Sequence, residues 1–314
     1  MRTRFRGLTS RESLLVQGPA GWGEFGPFPE YEDAEASRWL AAALEAAFVG
    51  HLTPVREVVP VNATVPAVSA AEVPEIIGRF GGATTAKVKV AESGQALSDD
   101  VERVAAVRDV MGADGRVRVD ANGAWDLEQA VEAVRALAPY GLEYVEQPCR
   151  DVEDLARLRI RLARAGLDVP VAADESIRRA EDPEKVRRLE AADVMVVKVA
   201  PLGGVRAALG VIDRVGLPAV VSSAIDTSVG IAAGVALAAA LPELPYACGL
   251  GTVALLGGDV TSESARPVGG ALPAGRTVEV SEALLTQFAA PPDRAAWWLD
   301  RLTRCHAHLA ERRI

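Results

Sequence analysis

Five charged residues each close a short apolar run: Lys89, Asp120, Glu146, Asp174 and Lys198, at successive intervals of 31, 26, 28 and 24 residues. The stretch Arg116-Val117-Arg118-Val119-Asp120-Ala121-Asn122-Gly123 shows the pattern best. With a side-chain period of two, Arg118, Asp120 and Asn122 share one face of a strand, and Val117, Val119 and Ala121 the other. Three acids on three successive strand ends repel one another unless a cation sits among them, because buried unpaired carboxylates are costly. Oxygen ligands without His or Cys suit a hard ion, Mg²⁺ above all, with Mn²⁺ as a substitute. The three histidines, His51, His306 and His308, lie outside the repeat. Proton transfer near neutral pH therefore falls to lysine or carboxylate. The chemistry indicated is removal of a proton beside a carboxylate, with a metal ion stabilising the enediolate. A lysine crowded by Lys87 and the cation is expected to have its pKa lowered toward neutrality, where it acts as a base.

Taken singly, these residues have ordinary uses. A strand-end Asp forms turns or caps helices, and a lone lysine reaches to solvent along its aliphatic stem. Glu175 is expected to point away from Asp174, toward the loop, so at most one of the two is a ligand. Taken together, the regular spacing argues against coincidence.

The elements that position them follow from that spacing. Each interval fits one strand, one helix and two short loops. Strands are read at about 61–67, 85–90, 116–121, 143–147, 169–174, 194–199, 218–223 and 246–250. Helices fall near 70–80, 99–111, 127–138, 152–164, 182–191, 203–214 and 228–240. Ser69 and Asp126 stand at helix starts, and Gly112, Gly141 and Gly166 at helix ends. The expected fold class is α/β, a closed parallel barrel of eight strands and seven helices, (β/α)7β. The C-terminal strand ends of such a barrel carry its active site. Lys89 and Lys198 fall on strands two and six, across the barrel from each other. Residues 1–58 do not share the repeat and read as a small α+β unit, with a strand at Ser13–Gln17 and a helix at Ala34–Phe48. The segment 259–314, with a strand at Thr277–Val280 and a helix at Asp293–Glu311, is expected to pack back on it. The barrel proper is 59–258.

Composition narrows the class. The chain has 314 residues, 49% hydrophobic, with 43 acids against 34 bases and a net charge of −9. With no long basic run, nucleic acid is not an expected partner. No apolar core follows the basic Met1–Arg6 start, and Ile231–Leu241 is too short for a membrane span. Cys149, Cys248 and Cys305 form no CxxC pair, which argues against disulfides and structural zinc and for the cytoplasm. A small-molecule carboxylate is the expected partner, no membrane is, and a monomer is favoured.

Lys87-Val88-Lys89, Asp120-Ala121-Asn122, Glu146-Gln147-Pro148, Asp174-Glu175-Ser176 and Lys198 together resemble the signature of the enolase superfamily, in its muconate-lactonizing subgroup. Gly21-Trp22-Gly23-Glu24 is similar to that family's capping-domain motif. The resemblance implies a modified TIM-type (β/α)7β barrel with a small α+β capping domain. It implies Lys89 and Lys198 as the acid/base pair and Asp120, Glu146 and Asp174 as Mg²⁺ ligands. Lys87, Arg118 and Asn122 would shape the surface toward the substrate. The short chain, the compact cap and Arg118 two residues before Asp120 are most similar to the subgroup's dehydrating member. That enzyme makes an aromatic product by syn elimination from 2-succinyl-6-hydroxy-2,4-cyclohexadiene-1-carboxylate in menaquinone biosynthesis. Ser222, Ser223, Gly249, Gly251 and Thr252 would then line the succinyl end, and the Phe25–Pro29 loop, Phe25 included, would close over it. Racemization of N-succinylamino acids and epimerization of dipeptides remain alternatives, although the epimerase pattern Asp-x-Asp is replaced by Gly249-Leu250-Gly251. A non-catalytic barrel that binds a dicarboxylate is the alternative from another class.

Overall fold

A computed structural model describes residues 1–5, 7–178 and 182–311. In chain order the elements are β1 (Leu14–Gly18), β2 (Gly21–Phe25), α1 (Asp33–Leu44), β3 (Val58–Pro60), β4 (Ala63–Val65), α2 (Val73–Gly78), β5 (Thr85–Lys89) and α3 (Leu97–Met111). There follow β6 (Arg116–Asp120), α4 (Leu127–Leu137), β7 (Leu142–Glu146), α5 (Val152–Arg164), β8 (Val171–Ala173), α6 (Glu175–Arg178), α7 (Asp182–Arg188) and β9 (Val194–Lys198). The last are α8 (Val199–Leu202), α9 (Val205–Val215), β10 (Ala219–Ser222), α10 (Ser228–Ala240), β11 (Ala271–Pro273), α11 (Glu282–Gln287) and α12 (Pro292–Glu311).

Strands β4 to β10 form one parallel sheet in sequence order. Their outward residues, such as Val88, Val119 and Val197, pack under the helices, which is why the strands read as apolar runs. The expected eighth strand at 246–250 is reduced to single bridges, Val61 to Cys248 and Ser222 to Gly249. These still close the ring. Cys248 N donates to Pro60 O at 2.8 Å, Asn62 N to Cys248 O at 2.9 Å, and Gly249 N to Val221 O at 2.8 Å. Local chemistry starts the helices where it should. Asp126 accepts from Gln129 N at 2.8 Å while the Gln129 side chain accepts from Asp126 N at 3.0 Å, a reciprocal cap.

The N-terminal hairpin β1–β2 packs on α1 and, through it, on α12. Phe25, Phe28, Trp39, Leu40, Trp298 and Cys305 share one buried cluster, separate from the core around the barrel. Gly23 is where the hairpin touches α1: a Cβ there would lie 2.0 Å from Ala43 O, so no other residue fits. Two expectations need correction. Thr277–Val280 is not a strand; the C-terminal segment instead supplies β11, antiparallel to β3. Short helices α6 and α8 also follow β8 and β9, where only loops were expected.

Candidate active site

The barrel register brings the charged residues together. Lys89 pairs with Asp120 across β5–β6, and Asp120 with Glu146 across β6–β7. Asp174 follows β8 directly, and Lys198 ends β9. In an eight-membered ring β5 and β9 face each other, so the two lysines flank the acids from opposite sides. All six charged side chains are buried; Lys87, Lys89 and Lys198 are 6%, 8% and 8% exposed, and the three acids 1% or less.

Each acid meets an ammonium group. Lys87 Nζ lies 2.9 and 3.1 Å from the two Glu146 oxygens and 3.3 Å from Asp120 Oδ2. Lys89 donates to Asp120 Oδ2 and, at 2.7 Å, to Asn122 Oδ1. Lys198 donates to Asp174 Oδ2. Burial disfavours the Lys87 ammonium, but Glu146 and Asp120 outweigh it and hold its pKa above the usual lysine range. Asp120 is held well below the usual carboxylate range; burial opposes this, and Lys89 and Lys87 overcome it. Glu146 is pushed up to about 7, first by burial and then by Asp120, with Asp174 adding to the effect against Lys87.

Backbone geometry at the mouth is unusual. Ala91, Asn122, Gln147 and Ile225 have φ of 60°, 48°, 37° and 62° and follow β5, β6, β7 and β10. Non-glycine residues rarely adopt such angles, and they cluster where a site must be aimed. Gln147 shows the use. Its Oε1 accepts from Asp174 N at 2.9 Å and Ser176 N at 3.2 Å, and its Nε2 donates to Ser176 Oγ at 2.9 Å. It thereby ties the second acid's strand to the third acid's loop, a role the sequence reading missed.

The cavity above these residues holds about 30 Å³ and is lined by Lys87, Lys89, Asp120, Lys198, Ser222, Ser223, Gly249 and Thr252. Thr64, Pro201 and Ile225 complete the barrel wall, and Phe5, Phe28 and Trp39 roof it. The Phe5 ring lies 5.3 Å from Lys89 Nζ. Four expected ligand-facing residues do not line the cavity. Phe25 is fully buried against Trp298, with ring centroids 5.8 Å apart. Gly251 packs against Phe80 and Pro267. Arg118 is a layer deeper, stacked 4.8 Å from the Tyr144 ring and bonded to Glu143 and Ala247 O. Asn122 faces the rim, donating to Glu175 Oε1 at 3.2 Å. A larger cavity of about 350 Å³ opens behind α10, but none of the strand-end acids or lysines lines it, so size does not mark the site.

Comparison with known proteins identifies the family. Residues 71–282 match the family model described as enolase C-terminal domain-like, and residues 1–47 the one described as enolase N-terminal domain-like. The o-succinylbenzoate synthase of Thermobifida fusca is 60% identical over 297 residues, covering 95% of this chain and 91% of that protein. The o-succinylbenzoate synthase of Mycolicibacterium smegmatis is 57% identical, covering 98% and 93%. The chain belongs to the enolase superfamily, in its o-succinylbenzoate synthase family. The crystal structure of muconate cycloisomerase from Pseudomonas fluorescens shares the fold, with a TM-score of 0.73 at 22% identity over 89% of this chain and 98% of that one.

Enolase-superfamily sites pair a lysine or histidine base with one or two divalent ions. The donor set here fits such an ion: three carboxylates on consecutive strand ends, without histidine or thiol, with burial first and then their mutual repulsion raising Glu146. As the side chains stand, no three acids among the described residues are arranged to hold an ion, since each is turned toward an ammonium group. No described helix is long and apolar enough to cross a membrane.

Proposed function

We propose that this chain dehydrates 2-succinyl-6-hydroxy-2,4-cyclohexadiene-1-carboxylate to o-succinylbenzoate, the product its relatives' name states, in the cytoplasm and on the menaquinone pathway. In this reading residues 1–58 with 259–314 form the cap, and 59–258 the barrel. The observation that carries it is the pair of buried lysines on facing strands, with three acids on the strand ends between them.

Lys89, released from Asp120 and acting as its neutral amine, takes the proton α to the ring carboxylate. The C–H electron pair first delocalises onto that carboxylate as the enediolate; it then forms the new ring double bond as the C–O bond on the same face breaks, and hydroxide leaves as water with the proton that Lys89 returns. One base thus serves both halves of a syn elimination. Lys198, on the opposite face, supplies positive charge beside the developing enediolate. Asp120, Glu146 and Asp174 would hold Mg²⁺, or Mn²⁺ in its place, which supplies electrostatic stabilisation for the charge gathered on the substrate carboxylate. Lys87, held as an ammonium, keeps Glu146 and Asp120 in register.

The cavity has room for only one or two water molecules. Substrate entry therefore requires Phe5, Phe28 or Trp39 to move with the cap. Gly249 weighs against dipeptide epimerization: a Cβ there would lie 2.5 Å from Ser222 Oγ, so the Asp of the epimerase pattern would need Ser222 to turn away.

The test is the dehydration assay, followed by loss of diene absorbance. Lys89→Ala is expected to lose at least about a hundredfold in kcat, the scale of general-base catalysis, while keeping its circular dichroism. Substantial turnover by that variant would remove Lys89 as the base.

A further inference from the structure

We infer that the indole N–H of Trp39, on cap helix α1, donates a hydrogen bond to the substrate's second carboxylate, at the free end of the succinyl chain. This rests on the dehydration reading above and deepens it. Trp39 is 1% exposed and lines the catalytic cavity beside Lys198, Ser222 and Ser223. Its Nε1 has no hydrogen-bond partner among the described residues. Nearly all buried polar groups in folded proteins are paired, so an unpaired donor in a cavity wall calls for an acceptor that arrives with the ligand. The neighbouring rings of Phe28 at 5.9 Å and Tyr31 at 6.0 Å pack against the indole but give Nε1 no hydrogen-bond partner.

The substrate is a dianion whose charges lie at opposite ends. The ring carboxylate belongs with the acids and their cation on β6 to β8. The succinyl carboxylate must then lie toward β9 and β10, where the cationic Lys198 is already bonded to Asp174. The Ser223 hydroxyl bonds Gly249 O at 2.9 Å and sits 2.7 Å from Thr252 Oγ1, so both hydroxyls are engaged. The indole is a preorganised donor on that side. Because α1 belongs to the cap, this bond also makes recognition of the distal carboxylate depend on cap closure.

The experiment compares two ligands by calorimetry in MgCl₂: o-succinylbenzoate, and 2-butyrylbenzoate, in which a methyl group replaces the distal carboxylate. Trp39→Phe removes the N–H and keeps an aromatic ring. It is expected to weaken o-succinylbenzoate about tenfold or more, as for a hydrogen bond to a charged group, and 2-butyrylbenzoate less than about twofold. KM should rise more than kcat falls. Equal losses for both ligands would mean packing alone, and no loss for either would remove the contact; each overturns the inference. Should the variant not fold, the wild-type ¹H–¹⁵N indole spectrum decides. One of the five tryptophan signals should move downfield with o-succinylbenzoate and not with 2-butyrylbenzoate, and no such difference would overturn the inference. A wild-type protein without dehydratase activity would instead remove the functional reading itself.

Discussion

At the scale of single residues, Gln147 is the group whose loss should be most instructive. It holds the backbone N–H groups of Asp174 and Ser176 with one oxygen, and Ser176 Oγ with its amide. Gln147→Leu keeps the approximate volume but leaves two buried donors without their acceptor, at a cost of about 1–3 kcal/mol each. Asp174 would lose its fixed position, although it keeps its charge. After exhaustive chelation, wild-type activity should vanish and return on adding Mg²⁺; the variant should need roughly 10–100-fold more Mg²⁺ for half-restoration, as for other groups that orient metal ligands. Activity that survives chelation would count against the metal assignment, and an unchanged titration against the role of Gln147. The acids and lysines could be read from the sequence because a charge that ends an apolar run is conspicuous. The bonding role of Gln147 could not, although the residue stands in the quoted signature, since an amide before proline looks like any loop. Arg118 shows a subtler limit. Periodicity assigns its face correctly, yet two residues lower on a strand is about 6–7 Å deeper, enough to turn a ligand contact into a plug stacked on Tyr144.

At the scale of elements, the contact between cap and barrel runs through the start of α10. Glu24, from β2, accepts from Thr227 N at 3.0 Å, Thr227 Oγ1 at 2.6 Å and Gly230 N at 2.9 Å. A carboxylate at a helix N-terminus is favoured by the unpaired N–H groups there. Burial nevertheless pushes the Glu24 carboxyl above its usual range, and nearby Asp226, itself raised by burial, adds to the effect. A carboxyl with a raised folded pKa binds its proton more tightly in the folded protein than in the unfolded chain. The stability this contributes is fully present below the ordinary carboxylate value of about 4.3 and is lost as pH rises through the raised value. Glu24→Gln cannot ionise and keeps an acceptor for α10. Its thermal midpoint should therefore fall less than that of the wild type between mildly acidic and neutral pH. Parallel slopes for the two proteins would show that Glu24 is not the group responsible. The helices were readable through their caps, as at Asp126. The last strand was expected in full at 246–250, but that segment is held by single bridges to both neighbours and never needs a full ladder. Thr277–Val280 has strand-like residues, but the free edge of β3 is taken by Ala271–Pro273, and a strand exists only where an edge receives it.

At the scale of the whole molecule, the chain returns to its beginning: α12 completes the unit that β1, β2 and α1 start. The sequence suggested this only through the loss of the repeat after residue 258, since contacts across nearly 300 residues leave no local signature. Trp298 makes the join. It is 4% exposed, meets Phe25 edge to face at 5.8 Å, and donates from Nε1 to Glu12 at 2.9 Å. Arg294 reinforces the same acid at 2.6 Å, and burial and these bonds tie the two chain ends into one cluster distinct from the barrel core. Trp298→Ala should cost about 3–5 kcal/mol, as for a large aromatic removed from a core. Because the barrel core does not include Trp298, the loss should be confined to the cap. Hydrogen exchange should accelerate in β1, β2 and α1 while β5 to β9 remain protected, since local opening follows cooperative units. KM should rise, because Phe28 and Trp39 roof the cavity from that same cluster. Uniform acceleration of exchange through barrel and cap together would mean that the two clusters unfold as one, and that the roof cannot open independently of the barrel that holds the acids and lysines.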